Sequence, residues 1–184
     1  MRNYLKSAAA NPLPWMLIFA ALLRFPTLAA ESLWYDETFT AFVAKLPMAN
    51  FWPAVRGDVH PPLYYLIEWV NIRLLGSSEF AMRLPSAIFG LIAVYLIYRL
   101  TLVIGFERRV ALMAGLFIAV FPAMIYYSQE ARMYTLLLCC VLGAAWAAME
   151  RRWAYFGLCC LGAAYSQNLG VFYVAALGLM ALFI

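Results

Sequence analysis

Long stretches without one charged residue limit what this chain can fold into. Residues 7–23, 84–98, 110–129, 133–149 and 153–184 contain no Asp, Glu, Lys or Arg. A helical bilayer crossing needs roughly 20 predominantly apolar residues, and the stretches sit near or above that length. The whole chain is 67% hydrophobic and 12% charged, against about 45–50% and about 25% in soluble domains. A soluble enzyme, a disordered tail and a nucleic-acid-binding domain are all excluded by that balance. The fold expected is all-α and polytopic, with at least five transmembrane helices. The last stretch is too long for one crossing. Ser166-Gln167-Asn168 and Gly170 mark a break inside it, giving five spans and the start of a sixth.

The first stretch follows Arg2 and Lys6 and has the outline of a signal peptide. Phe25-Pro26-Thr27-Leu28 is a weak cleavage site and more spans follow, so a retained first helix is expected. The positive-inside rule then orients the chain. With a cytoplasmic N-terminus, the inner side holds Arg2, Lys6, Arg99, Arg108, Arg109, Arg151 and Arg152 against Glu107 and Glu150. The outer side is slightly acidic and holds the other seven carboxylates, mostly between residues 29 and 83. The apolar end, Leu177 to Ile184, reads as an interrupted sixth helix, so the chain is expected to be the N-terminal part of a longer protein. The four cysteines, paired as Cys139-Cys140 and Cys159-Cys160, read as small residues packing between helices.

Residues 29–83 form one long outer loop too rich in aromatics for disorder. Two interfacial amphipathic helices are predicted in it. One runs from Asp36 to Lys45, with its carboxylates in the first turn, where the helix dipole favours them. The other starts at Pro61-Pro62, carries Leu63, Leu66, Ile67, Val70 and Leu74 as one stripe, and ends at Gly76. Ser78-Glu79 opens the next helix, which Pro85 is expected to kink. Glu68, Arg73 and Glu79 read as a solvated face. Asp36, Glu37, Asp58, His60, Arg83 and the outer turn Ser128-Gln129-Glu130-Ala131-Arg132-Met133-Tyr134 are candidates to converge on one site. Each also has a plainer reading: a helix start for Asp36-Glu37, a cap for His60, headgroup anchors for Arg83 and Arg132.

Four motifs carry a family likeness. Ser32-Leu33-Trp34-Tyr35-Asp36-Glu37, Asp58-x-His60-Pro61-Pro62-Leu63-Tyr64-Tyr65, Phe80-x-x-Arg83-x-Pro85 and Tyr127-Ser128-Gln129-Glu130-Ala131-Arg132-Met133-Tyr134 stand in that order. The chain resembles the bacterial dolichyl-phosphate-mannose-protein mannosyltransferase-like family, C-type glycosyltransferases that include the aminoarabinose transferases of lipid A. The likeness runs from about residue 10 to the end. It implies a polyprenyl-phosphate-linked sugar donor and an acceptor hydroxyl (on protein, lipid or glycan) at the outer face of a bacterial inner membrane. Family members are typically two to three times this length.

The resemblance places the catalytic acid in the first outer loop, where Asp36 stands as general base, with Glu37 as its partner or an acceptor-positioning group. Arg83 and Arg132 are the expected donor-phosphate ligands, because guanidinium offers phosphate a bidentate fork. Asp58, His60, Tyr64, Glu130 and Tyr134 are the expected substrate contacts. Some relatives use a divalent metal, and Glu37 with His60 is a chemically compatible set for Mg²⁺, Mn²⁺ or Zn²⁺. His60 takes the place of a lysine in the aminoarabinose transferases, so phosphate and metal both stay open as its partner. The competing classes are a transporter or channel subunit and a non-catalytic membrane scaffold. The charges lie at the edges of the spans and no inverted repeat is evident, which disfavours transport.

Overall fold

The charge-free stretches fold as helices that stop where polar residues or prolines interrupt them. The computed structural model describes residues 11–184, and these form ten α-helices and no strand. Arg2, Lys6 and the start of the first stretch lie outside the described residues. In order come α1 (Leu13–Leu22), α2 (Tyr35–Lys45), α3 (Met48–Arg56), α4 (Leu63–Leu75), α5 (Glu79–Val103), α6 (Arg108–Val120), α7 (Pro122–Ser128), α8 (Tyr134–Met149), α9 (Trp153–Ser166) and α10 (Gly170–Ala181).

The count of crossings is smaller than expected. Among the described residues, α5 alone is long and apolar enough to cross a bilayer by itself. α6 and α7, bent by 61°, make a second crossing if taken together. α1, α8 and α10 are apolar but shorter. The causes are local: Pro122 separates α6 from α7, and polar residues 129–132 and 167–168 end the neighbouring helices.

The two helices predicted in the outer loop are α2 and α4. Glu37 accepts from the Trp34 amide at 3.2 Å, closing the first turn of α2. Gly76 ends α4 at φ 83°, a left-handed conformation that a side chain would strain. α3, bracketed by Pro47 and interrupted by Pro53, was not predicted. It completes a small core of Val43, Phe51, Val55 and Tyr65, which gives the loop its own packing. Arg73 is not simply solvated: it lies 3.4 Å over the Trp69 ring and donates to the carbonyls of Ala44, Leu46 and Trp69.

Prolines leave carbonyls without donors, and polar side chains fill the gaps. Pro85 sits inside α5 without ending it. It removes the N–H that Ala81 O would accept, and Asn71 Nδ2 of α4 donates there instead at 2.8 Å. Pro122 does the same to Ile118 O. Arg24, fully buried, donates to Ile118 O, to Ala119 O at 2.9 Å and to Ser128 Oγ at 3.2 Å. A side chain at Gly90 would strike Ser128, so glycine is what lets α5 approach this junction. Arg24→Leu is expected to cost about 3 kcal/mol or more, since the carbonyls of Ala20, Ile118 and Ala119 all lose their donor. Thermal unfolding in detergent checks this.

Candidate functional site

The turn between α7 and α8 draws several segments together, and nearly every residue in it has a partner. Ser128 meets Arg24, as above. Gln129 Nε2 donates to Arg24 O at 3.0 Å and to Thr27 Oγ1, tying the turn to the end of α1. The Ala131 amide donates to Glu37 Oε1 at 2.8 Å. The Arg132 carbonyl accepts from Ser86 Oγ at 3.0 Å. Met133 packs with Tyr64 and Leu136.

Two arginines expected to play one role have different surroundings. Arg83 forms a fork on Glu37, Nε to Oε1 at 2.8 Å and Nη2 to Oε2 at 2.7 Å. Its remaining donors go to the carbonyls of Leu28, Glu31 and Ser32. Guanidinium has five N–H groups, and Arg83 uses all of them inside the protein. Glu37 is fully buried, with two donors on each oxygen: Arg83 and Ala131 on Oε1, Arg83 and Trp34 on Oε2.

Arg132 is equally buried, at 4% exposure, but its hydrogen bonding is incomplete. Nη2 lies 3.7 Å from Asp36 Oδ2 and 3.4 Å from His60 Nε2, and Nε has no partner. Asp36, the neighbour of Glu37, is turned outward and 36% exposed. One residue of helix rotation thus separates a carboxylate locked in an ion pair from one open to a reactant.

His60 is oriented from behind. Asp58 Oδ2 accepts from the His60 amide at 3.3 Å, from the Tyr65 hydroxyl at 2.6 Å, and meets His60 Nδ1 at 3.1 Å. Burial raises the Asp58 carboxyl, but Tyr65 with the Val59 and His60 donors outweighs it and holds the carboxyl below its usual value. Burial, then Asp58, pushes the Tyr65 phenol well up. With Nδ1–H on Asp58, Nε2 is an acceptor facing Arg132. Asn168, in the break between α9 and α10, donates to Val59 O at 2.7 Å and fixes the same strand of chain.

The structure therefore brings Asp36, Asp58, His60 and Arg132 together, and sets the others elsewhere. Tyr64 is fully buried, with its hydroxyl 2.8 Å from Ser86 Oγ. Glu130 lines a cavity of about 590 Å³ together with the Glu37–Arg83 pair, Glu31, Trp34, Tyr126 and Gln129. Burial pushes its carboxyl up, opposed by Tyr126. Tyr134 lies 4.8 Å from the Tyr127 ring and lines a separate apolar cavity of about 250 Å³ with Leu138 and Tyr173.

Glu37 and His60 are a poor fit for Mg²⁺, Mn²⁺ or Zn²⁺. The Glu37 oxygens already carry four donors, which fills a carboxylate's acceptor sites. Among the described residues no three His, Cys, Asp or Glu side chains gather as a metal set.

The family model for dolichyl-phosphate-mannose-protein mannosyltransferase matches residues 59–184. The chain belongs to that family, and membership indicates a glycosyltransferase of the mannosyltransferase type. The match takes in His60, Arg83 and Arg132, and begins after Asp36, Glu37 and Asp58. No curated protein matches the chain.

Proposed function

We propose that the chain is the donor-handling part of a polytopic glycosyltransferase that moves a sugar from a polyprenyl phosphate to an acceptor hydroxyl. The observation carrying this is the pairing of an exposed carboxylate, Asp36, with a buried guanidinium that has unused donors, Arg132. In the reaction, Asp36 takes the acceptor's proton as its oxygen bonds the anomeric carbon. The bond from that carbon to the phosphate oxygen breaks, and the polyprenyl phosphate departs with the electron pair. Arg132 holds the charge gained by the leaving group. His60, set by Asp58, fixes the Arg132 fork. Glu37 and Arg83 hold α2, α5 and the turn in register. No step passes through a metal. The Glu130 cavity is large enough for a sugar ring, and the Tyr134 cavity suits apolar chain.

A membrane setting is supported by the exterior. Trp15, Leu22, Met113, Phe117, Leu158 and Phe172 are each at least 60% exposed, a surface that lipid solvates and water does not. We place the first apolar stretch with α1, then α5 and the α6–α7 pair, across a bacterial inner membrane, with the N-terminus cytoplasmic and the α2–α4 loop outside. Asn50→Cys, in exposed α3, is then expected to gain labelling by an impermeant maleimide added outside. Labelling only from the cytoplasm would overturn that orientation.

The transfer reading is tested with the full-length protein in detergent, given radiolabelled polyprenyl-phosphate sugars and hydroxyl acceptors. Label is expected to reach the acceptor. Arg132→Ala is expected to weaken donor binding by roughly 10- to 100-fold, the scale of a lost hydrogen bond to a charged group. Equal donor binding in Arg132→Ala would remove Arg132 from the phosphate role.

A further inference from the structure

The cavity beside Glu130 has walls of one electrical sign. Of its charged lining groups, Glu37 and Arg83 neutralise each other, and every Arg83 N–H is already bonded inside the protein. Glu31 and Glu130 remain, and among the described residues neither forms an ion pair. Glu130 is only 5% exposed, so its carboxylate borders the cavity and not open solvent. A buried charge without a counter-charge is costly. Burial pushes the Glu130 carboxyl up, Tyr126 and Arg132 oppose that, and Glu37 and Asp36 add to the rise.

Other polar atoms of the wall also ask for a donor. Gln129 spends its amide N–H groups on Arg24 O and Thr27 Oγ1, which leaves its carbonyl oxygen to accept. Trp34 and Tyr126 bring exposed aromatic rings to the same wall. Such rings attract a cation or the apolar face of a sugar. At about 590 Å³ the space is that of a small-molecule site. A phosphate would meet two carboxylates and no free guanidinium, because Arg132 is not on this wall. The cavity still adjoins the reacting pair. Glu37 follows Asp36, Glu130 stands two residues before Arg132, and the Ala131 amide on Glu37 Oε1 at 2.8 Å ties the two segments together.

We propose that this cavity is the acceptor site and that it selects an amino sugar, whose ammonium group meets Glu130 and Glu31 while its hydroxyl reaches Asp36. Trp34 and Tyr126 hold the ring. The site sorts the two substrates by charge: the donor's phosphate goes to Arg132, and an acceptor that carries phosphate is turned away by the carboxylates. This deepens the sugar-transfer reading and rests on it.

The test titrates four sugars into the full-length protein in detergent by calorimetry: methyl glucosaminide, its N-acetyl form, methyl glucoside and methyl glucoside 6-phosphate. The glucosaminide is expected to bind roughly 10- to 100-fold more tightly than the two neutral sugars, the scale of a hydrogen bond to a charged group. The phosphorylated sugar is expected to bind least. Glu130→Gln is expected to remove most of the preference for the ammonium group. The comparison among sugars needs only wild type, so a poorly folding variant does not protect the proposal. Equal affinity for charged and neutral sugars, or a full preference that persists in Glu130→Gln, would overturn it. Saturating farnesyl phosphomannose is expected to leave glucosaminide binding in place. Mutual exclusion would assign the cavity to the donor's sugar and overturn the acceptor site. With a radiolabelled polyprenyl-phosphate sugar, label is expected on the glucosaminide ahead of the others. Label on no hydroxyl at all would overturn the transfer reading beneath, while the binding preference is decided by the titrations alone.

Discussion

Glu37→Gln is expected to destabilise the protein by about 3–5 kcal/mol, the cost of leaving one buried charge without its partner. The Arg83 guanidinium would remain among the carbonyls of Leu28, Glu31 and Ser32 with no counter-charge. Most domains have only about 5–15 kcal/mol of total stability, so the variant stands near unfolding. Arg83→Met is expected to cost a similar amount. The double variant should lose clearly less than the two single losses added, because each change alone strands a charge. Thermal melts of the four proteins in one detergent check the cycle. Strict additivity would mean that the pair is not coupled.

Asp36→Asn is expected to do the opposite: leave folding nearly intact and reduce sugar transfer by a factor of roughly 10²–10⁴, the range for removing a general base. Asp36 contributes little packing. It is 36% exposed, and its one ion-pair contact, at 3.7 Å to Arg132, is looser than a hydrogen bond. Asparagine keeps the shape and cannot take a proton from the acceptor. Donor binding should change far less than turnover, because the Arg132 donors remain. Equal losses in binding and turnover would assign Asp36 to holding the donor, not to proton transfer.

These contrasts show what the chain sequence reveals and what it hides. Helices α2, α4 and α5 are readable from local signals: acidic residues in a first turn, Pro61-Pro62 before an apolar stripe, Ser78 as cap, Gly76 as stop. The break at residues 167–169 is equally plain. α3 is hidden because Pro47 and Pro53 mimic a turn, and its stability comes from packing on Val43 and Tyr65. Asp36 and Glu37 look equivalent in sequence. Only helix phase and Arg83, 46 positions away, separate their roles.

Buried polar residues were the least legible. Glu68 sits in an amphipathic pattern at a place that reads as solvated, yet has no exposure. Arg24 counts as an ordinary outer charge until the carbonyls freed by Pro122 are seen to need it. A proline within an apolar stretch was the available signal: the residue four before it needs a donor from elsewhere. The sequence names neither Asn71 nor Arg24 as that donor, because each is set by tertiary contact.

Sugar transfer by Asp36→Asn protein that melts like wild type tests the central claim most directly, using the full-length enzyme and a radiolabelled polyprenyl-phosphate sugar. The predicted result is donor binding close to wild type, with transfer reduced by at least roughly 100-fold. Transfer at the wild-type rate would contradict the assignment of the open Asp36–Arg132 pair as the reacting site.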